Sequence, residues 1–419
     1  MLTKDTYQRR YPLPQLCRDG RLDGCDMVAV SSGSSGTPTM WPRSVLDERA
    51  VAAGRLEQVF RNSFRADERH TLAVVCFALG SWVGGMYTAA CCRHLAAKGY
   101  PITVVTPGNN LEEILRVLPE LGPYADQVVL LGYPPFVKNV IDTGLARGVD
   151  WHRYNVKLVL AGEVFSEEWR DLVGQRAGMT QPCFDSASLY GTADAGVLGT
   201  ETPLSVSIRR FLARTPDAAR ALFGEARLPT LVQYDPATRY FETHEGTLLF
   251  TADGTVPLIR YHIADEGGLV GYDEMLAFCA AHGFDPLAGP RLPFAYVFGR
   301  SLFTVSYFGA NIYPENVTVG LERPAVSDWV TGKFVLRVVE DADRDRHLSV
   351  VVELAPGERP DPERGRVLAT SIRAELLRLN SEFAHYVPAE HQTPRVELRE
   401  TGDTEFFQPG VKHRYTRPD

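Results

Sequence analysis

With 419 residues, 44% of them hydrophobic and 23% charged, the chain has the make-up of an ordinary soluble globular protein, too long for one core and long enough for two or three subdomains. Its formal net charge of −8 argues against nucleic acid or an anionic membrane as partner, so any phosphate site must be local. Cys17, Cys25, Cys76, Cys91, Cys92, Cys183 and Cys279 are odd in number and form no C-x-x-C pair, and no apolar stretch near Met1 resembles a signal peptide, which together fit a reducing cytoplasm.

Residues 31–39 read Ser-Ser-Gly-Ser-Ser-Gly-Thr-Pro-Thr. Gly33 and Gly36 let backbone N–H groups turn toward an anion, and Ser31, Ser32, Ser34, Ser35 and Thr37 add hydroxyl donors, as a phosphate-wrapping loop requires. The Gly-Lys-[Ser/Thr] ending of a Walker A loop is absent, and a flexible Gly/Ser linker has the same composition. Thr71 to Cys92 carries no charge and is long enough to span a bilayer. Its texture is instead that of a buried strand over 71–78, a turn punctuated by Gly80, Gly84 and Gly85, and a helix over 86–97 closing at Gly99.

Strand patterns at 102–105, 128–131 and 157–161 then alternate with helical ones at 111–118, 135–143 and 167–176, which predicts a layered α/β domain with a largely parallel sheet. Ligand loops in such a sheet sit at the carboxyl ends of strands, so Gly132-Tyr133-Pro134-Pro135 and Gly162-Glu163 are expected pocket walls. Short alternating runs at 240–244, 247–251 and 258–262 predict a small antiparallel sheet or barrel beside that core. Past Arg300, strands over 333–340 and 347–354, a long helix over 364–383 and a strand over 395–399 read as a small ββαβ, α+β domain. The expected domains are 1–301 and 302–419, joined near Gly299–Leu302.

Four further clusters carry chemistry. Tyr190-Gly191-Thr192-Ala193-Asp194-Ala195-Gly196, following a strand, joins an aromatic face, a hydroxyl and a carboxylate able to stack a purine and hold Mg²⁺ beside a phosphate, although a plain Tyr-Gly turn fits as well. Pro257 to Asp265 ends a strand on a carboxylate that could accept both hydroxyls of a ribose or be an ordinary surface Asp. Arg300, after Gly299, could bind sugar or phosphate or form a junction salt bridge. Lys412, in Gly410-Val411-Lys412-His413-Arg414, could equally be solvated tail.

The order of these stretches, from the Ser/Gly/Thr-Pro loop through Ala161-Gly162-Glu163, Tyr190 to Asp194, Arg260-Tyr261 to Asp265, Gly299-Arg300 and Gly410-x-Lys412, resembles the core motifs of the adenylate-forming superfamily, nearest to the phenylacetate–CoA ligases. Leu79 to Gly85 and Gly132 to Pro135 also look like blocks of that family, and the loop's Pro38-Thr39 ending matches it. The resemblance implies ATP, Mg²⁺ and coenzyme A, with adenine between the turn at 161–164 and Tyr190, ribose on Asp265, Arg300 on ribose or phosphate, and Mg²⁺ on Asp194. It makes Lys412 the lysine of a mobile C-terminal lid domain, bridging acid and α-phosphate, with Thr192 and Asp194 acting beside it. Three departures stand out: Asp194 replaces the usual Glu, Leu302 occupies the position that commonly holds a hinge Asp, and the phosphate loop starts at residue 31, as if an N-terminal segment were missing. Thr3-Lys4-Asp5 resembles the point where many relatives enter their core.

The expected activity is AMP-forming ligation of a carboxylic acid to coenzyme A. Trp82, Tyr133, Phe136 and Ser188 would suit an aryl or arylacetic acid, unless these aromatics are simply core. Two alternatives stay open: coupling of the acyl-adenylate to an amine, or nitrite activation for diazotisation of an aryl amine; and a degenerate relative that binds nucleotide without turnover. The expected setting is cytoplasmic secondary metabolism, with a homodimer left open.

Overall fold

The computed structural model describes residues 1–31, 39–44, 54–224, 228–300, 304–407 and 416. The chain divides into two compact units, Met1–Ser31 with Thr39–Gly299 and, from Arg300 onward, a C-terminal one.

In the first unit the strands β3 (Thr71–Val75), β5 (Gln127–Gly132) and β6 (Val156–Ala161) are apolar almost without interruption and buried, as strands covered on both faces must be. With β4 (Ile102–Val105) and β7 (Ser186–Thr192) they pair in parallel, in the order β4-β3-β5-β6-β7. Local chemistry starts the crossover helices. Asn110 accepts the Glu113 N–H at the head of Leu111–Leu121, Pro134 opens Pro134–Ala146, and Ser166 accepts the Trp169 N–H at the head of Glu167–Arg176. The uncharged stretch from Thr71 is β3 followed by the helix Val83–Ala97, which begins three residues before Met86. Its first turn lies against the segment leaving β3: a Cβ on Gly85 would come 2.3 Å from the Ala78 carbonyl oxygen. No helix among the described residues is long and apolar enough to cross a membrane.

The antiparallel strands are not set beside this core but continue its sheet. Here β8 (Gly196–Thr200), β9 (Thr230–Gln233), β10 (Arg239–His244), β11 (Thr247–Ala252), β12 (Leu258–Val270) and β13 (Phe294–Arg300) complete an eleven-stranded order β10-β11-β12-β13-β9-β8-β7-β6-β5-β3-β4. A separate ribbon of β1 (Met27–Ser31) and β2 (Thr39–Arg43) packs Ala29 and Trp41 into a core cluster with Tyr190, Leu198, Phe241 and Tyr261.

The C-terminal unit opens with a hairpin of β14 (Val305–Tyr307) and β15 (Ala310–Ile312), whose turn residues Phe308 and Gly309 both take positive φ, 51° and 82°. Then β16 (Val330–Glu340) pairs antiparallel with β17 (Arg346–Leu354), which pairs parallel with β18 (Arg395–Arg399). The single helix expected over 364–383 is two, Pro362–Leu379 and Ser381–Tyr386. Asn380 breaks it: its side chain accepts the Phe383 N–H at 2.9 Å and donates to the Asn311 carbonyl at 2.8 Å, competing with the helical ladder.

Candidate active site

The parallel strands deliver the expected loops to one edge. Gly132 and Ala161 end β5 and β6, the pairing of Gly132 with Leu160 and of Ala161 with Leu189 puts Gly132 level with Ser188 and Gly162 beside Tyr190, two residues further on, and Gly162 turns the chain with φ of 90°. Glu163, Tyr133, Trp82, Phe136 and Ser188 are all buried. Tyr133 packs edge-on against Phe77 at 4.9 Å between centroids. Trp82 caps the helix Val83–Ala97, and its backbone bridges to Val30 in β1. Thus the strand that leads into the Ser31–Thr39 loop lies against the start of that helix, and Ser31 and Thr39 face each other across the ribbon.

Tyr190, Gly191 and Thr192 lie inside β7 rather than after a strand, and the turn is formed by Ala193, Asp194 and Ala195. Thr192 closes this turn by accepting the Ala195 N–H on its hydroxyl at 3.0 Å. Asp265 likewise does not end a strand; it lies within β12. Between the pairs Thr247–Glu266 and Leu249–His262, β12 spends four steps against two on β11, and Ala264 takes φ of 62°. This bulge re-aims Asp265.

Two tyrosine–aspartate bonds then join these segments reciprocally. The Tyr190 hydroxyl donates to Asp265 Oδ2 at 2.7 Å, and the Tyr261 hydroxyl donates to Asp194 Oδ2 at 2.8 Å. Both carboxylates are buried. Three strands separate β7 from β12 in the sheet order, so the contact requires the sheet to curl about the shared apolar cluster. Lys4 Nζ stands 3.4 Å from Asp194 Oδ1. It arrives there because the N-terminal segment pairs with β12, the Leu2 N–H donating to the Arg260 carbonyl at 3.1 Å and the His262 N–H to the Leu2 carbonyl at 2.8 Å. The backbone of the turn is held by guanidiniums, Arg43 donating to the Ala193 carbonyl and Arg239 to that of Ala195 at 3.2 Å.

Sequence reasoning gave no site role to Tyr261, Lys4, Arg43 or Arg239. Tyr261 had a signal, since Tyr190-x-x-x-Asp194 and Tyr261-x-x-x-Asp265 share one spacing. The arginines had none, being scattered along the chain and meeting only in the fold. Ser32, Gly33, Ser34, Ser35, Gly36, Thr37, Leu302 and Lys412 lie outside the described residues, as does the side chain of Arg300 at the end of β13.

This architecture defines a fold, one that solved acyl-CoA ligases and an amide bond synthetase share. In particular, it is similar along the whole chain to a 2-hydroxyisobutyryl-CoA ligase solved with 2-HIB-AMP and CoA in the thioesterification state, at a TM-score of 0.66, 14% identity and 80% coverage of that enzyme. An open conformation of the same ligase gives 0.52 at 15% identity, covering 100% of this chain and 81% of that one. A variant of an amide bond synthetase from Marinactinospora thermotolerans gives 0.52 at 16% identity, covering 90% of this chain and 66% of the synthetase. No protein-family model and no curated protein matches the sequence.

Proposed function

We propose that the chain uses ATP to convert a carboxylic acid into an acyl-adenylate and then transfers the acyl group to coenzyme A. The observation that carries the reading is the reciprocal Tyr190–Asp265 and Tyr261–Asp194 clasp in a fold that, over this chain's length, is similar to that of a CoA ligase. In the first step an oxygen of the acid attacks the α-phosphorus and the bond to pyrophosphate breaks. In the second, the sulfur of the thiol attacks the acyl carbon and AMP leaves. No covalent enzyme intermediate is needed, so positioning and electrostatics supply the acceleration.

Asp265, aimed by its bulge and held by Tyr190, would accept the ribose hydroxyls; adenine would lie between the 161–164 turn and Tyr190; and Arg300 would contact ribose or phosphate. The loop at 31–37 would take the phosphates, and Lys412 would bridge acid and α-phosphate. Asp194 offers Mg²⁺ a buried carboxylate for which the ion would compete with the Lys4 ammonium, and a Mg²⁺ site needs only one or two such oxygens besides those of the phosphates. When bound, the ion would offset phosphate charge. Trp82, Tyr133, Phe136 and Ser188 favour an aryl or arylacetic acid, in keeping with the motif likeness to phenylacetate–CoA ligases, and the lid is the unit beyond Arg300.

Pyrophosphate release with Mg-ATP, measured over a panel of aryl acids and nitrite, each with and without coenzyme A or an aryl amine, tests the reading. Release that depends on one acid, with AMP turnover on adding coenzyme A, is the expected result. Turnover dependent on an amine would replace the acceptor, and ATP binding without release from any acid would overturn the activity.

A further inference from the structure

Between the loop leaving β6 and strand β7, two carboxylates and two guanidiniums are buried together, Glu167, Glu201, Arg170 and Arg209, with Arg210, itself paired to Asp171, 3.4 Å from Glu167. Arg170 donates from Nε to Glu167 at 2.9 Å, from one terminal nitrogen to Ser186 Oγ at 2.6 Å, and from the other to both Glu201 oxygens at 2.9 and 3.0 Å. Arg209 donates from Nε to the Pro229 carbonyl at 2.7 Å, and its other two nitrogens donate to Glu167 and to the carbonyl of Phe165. The two guanidinium carbons lie 5.0 and 5.6 Å from the centroid of the Phe165 ring. On the opposite side Glu201 accepts the Ser188 N–H at 2.7 Å and returns its own N–H to the Ser188 carbonyl at 2.8 Å.

Stability alone does not call for such a cluster, because buried ion pairs repay their desolvation only in part, and apolar residues of similar volume often do as well. What four directional charged groups supply is a fixed spacing between the elements they join. Here those elements are the loop that carries Gly162 and Glu163 and the strand that carries Tyr190.

We propose that Arg170 and Arg209 are positioning residues for the nucleotide: acting through Phe165 on one wall and through Ser186 and Glu201 on the other, they set the gap that receives the base. The proposal rests on the ATP reading above. It extends the site to residues that touch no substrate and act through Phe165, the Ser186 hydroxyl and the Ser188 backbone held by Glu201.

Phe165→Leu removes the ring that both guanidiniums approach, and Arg209→Lys keeps the charge while losing the fork that reaches both Glu167 and the Phe165 carbonyl. In acid-dependent pyrophosphate release by the full chain, each is expected to raise the KM for ATP about tenfold while leaving the KM for the acid within about twofold, and to narrow the preference for ATP over GTP. The double variant should lose little more than either single one, since both break the same connection. Variants that melt earlier or yield less active protein, with both KM values and the nucleotide preference unchanged, would overturn the proposal while leaving the ATP reading intact. A wild-type chain that neither binds ATP nor releases pyrophosphate would overturn both. Arg170→Lys serves as an independent variant should Arg209→Lys fail to fold.

Discussion

At the scale of single residues, the site depends on what holds its carboxylates. Removing the Tyr190 hydroxyl deletes a 2.7 Å bond to a buried Asp265, a contact to a charged group worth about 1.5–3 kcal/mol. Tyr190→Phe is therefore expected to weaken ATP binding about tenfold or more if Asp265 holds the ribose, and Asp265→Ala to weaken it further, both read by calorimetric titration with a non-hydrolysable ATP analogue. Unchanged affinity in Asp265→Ala would remove that residue from the nucleotide site. The carboxylates themselves were legible as Asp194 and Asp265 because each follows a tyrosine at a fixed spacing. That each tyrosine serves the other segment's aspartate was not legible, since nothing local favours the crossed pairing over bonds within one segment.

Elements place these residues, and two of them can be tested directly. Gly85→Ala would drive a methyl group to 2.3 Å from the Ala78 oxygen, which only backbone movement relieves; a loss of about 1–3 kcal/mol, or more, is expected in denaturant unfolding. The helix Glu167–Arg176 carries Glu167, whose burial alone would raise its pKa, but the guanidiniums of Arg170 and Arg209 outweigh burial and hold it below the ordinary 4.5. A carboxylate depressed in the folded state stabilises above its unfolded value and loses that contribution as pH falls through the folded one. Glu167→Gln is thus expected to lower stability at pH 7 and to flatten its decline below about pH 4.5, which thermal melts from pH 3 to 7 would reveal. The parallel strands and their helices were readable from apolar runs alternating with helical patterns. The break at Asn380 was not, because an amphipathic pattern runs on through it and only the partners of Asn380, on Asn311 and Asn316, make the break worthwhile.

For the molecule as a whole, the proposed reaction assigns nucleotide and acid to residues before Arg300 and the bridging role to Lys412. Lys412→Ala is expected to slow acid-dependent pyrophosphate release by two orders of magnitude or more, as about 3 kcal/mol of lost transition-state stabilisation would. Thioester formation from supplied acyl-adenylate should persist near the parental rate. Equal loss of both steps, measured in separate half-reactions, would contradict the role given to this lysine.

The sequence by itself determined the α/β class, the parallel strands, the small ββαβ unit and the candidates Asp194, Asp265 and Tyr190, since apolar periodicity, turn residues and motif spacing are local properties. Only the tertiary structure decided that the antiparallel strands extend one eleven-stranded sheet, that β12 bulges beside Asp265, that Lys4 and Tyr261 meet Asp194, and that Arg170 and Arg209 are buried with Glu167 and Glu201. Those outcomes depend on strand pairing and on buried charges finding partners distant in the chain, and such partners are chosen by the packing of the whole sheet rather than by any window of sequence.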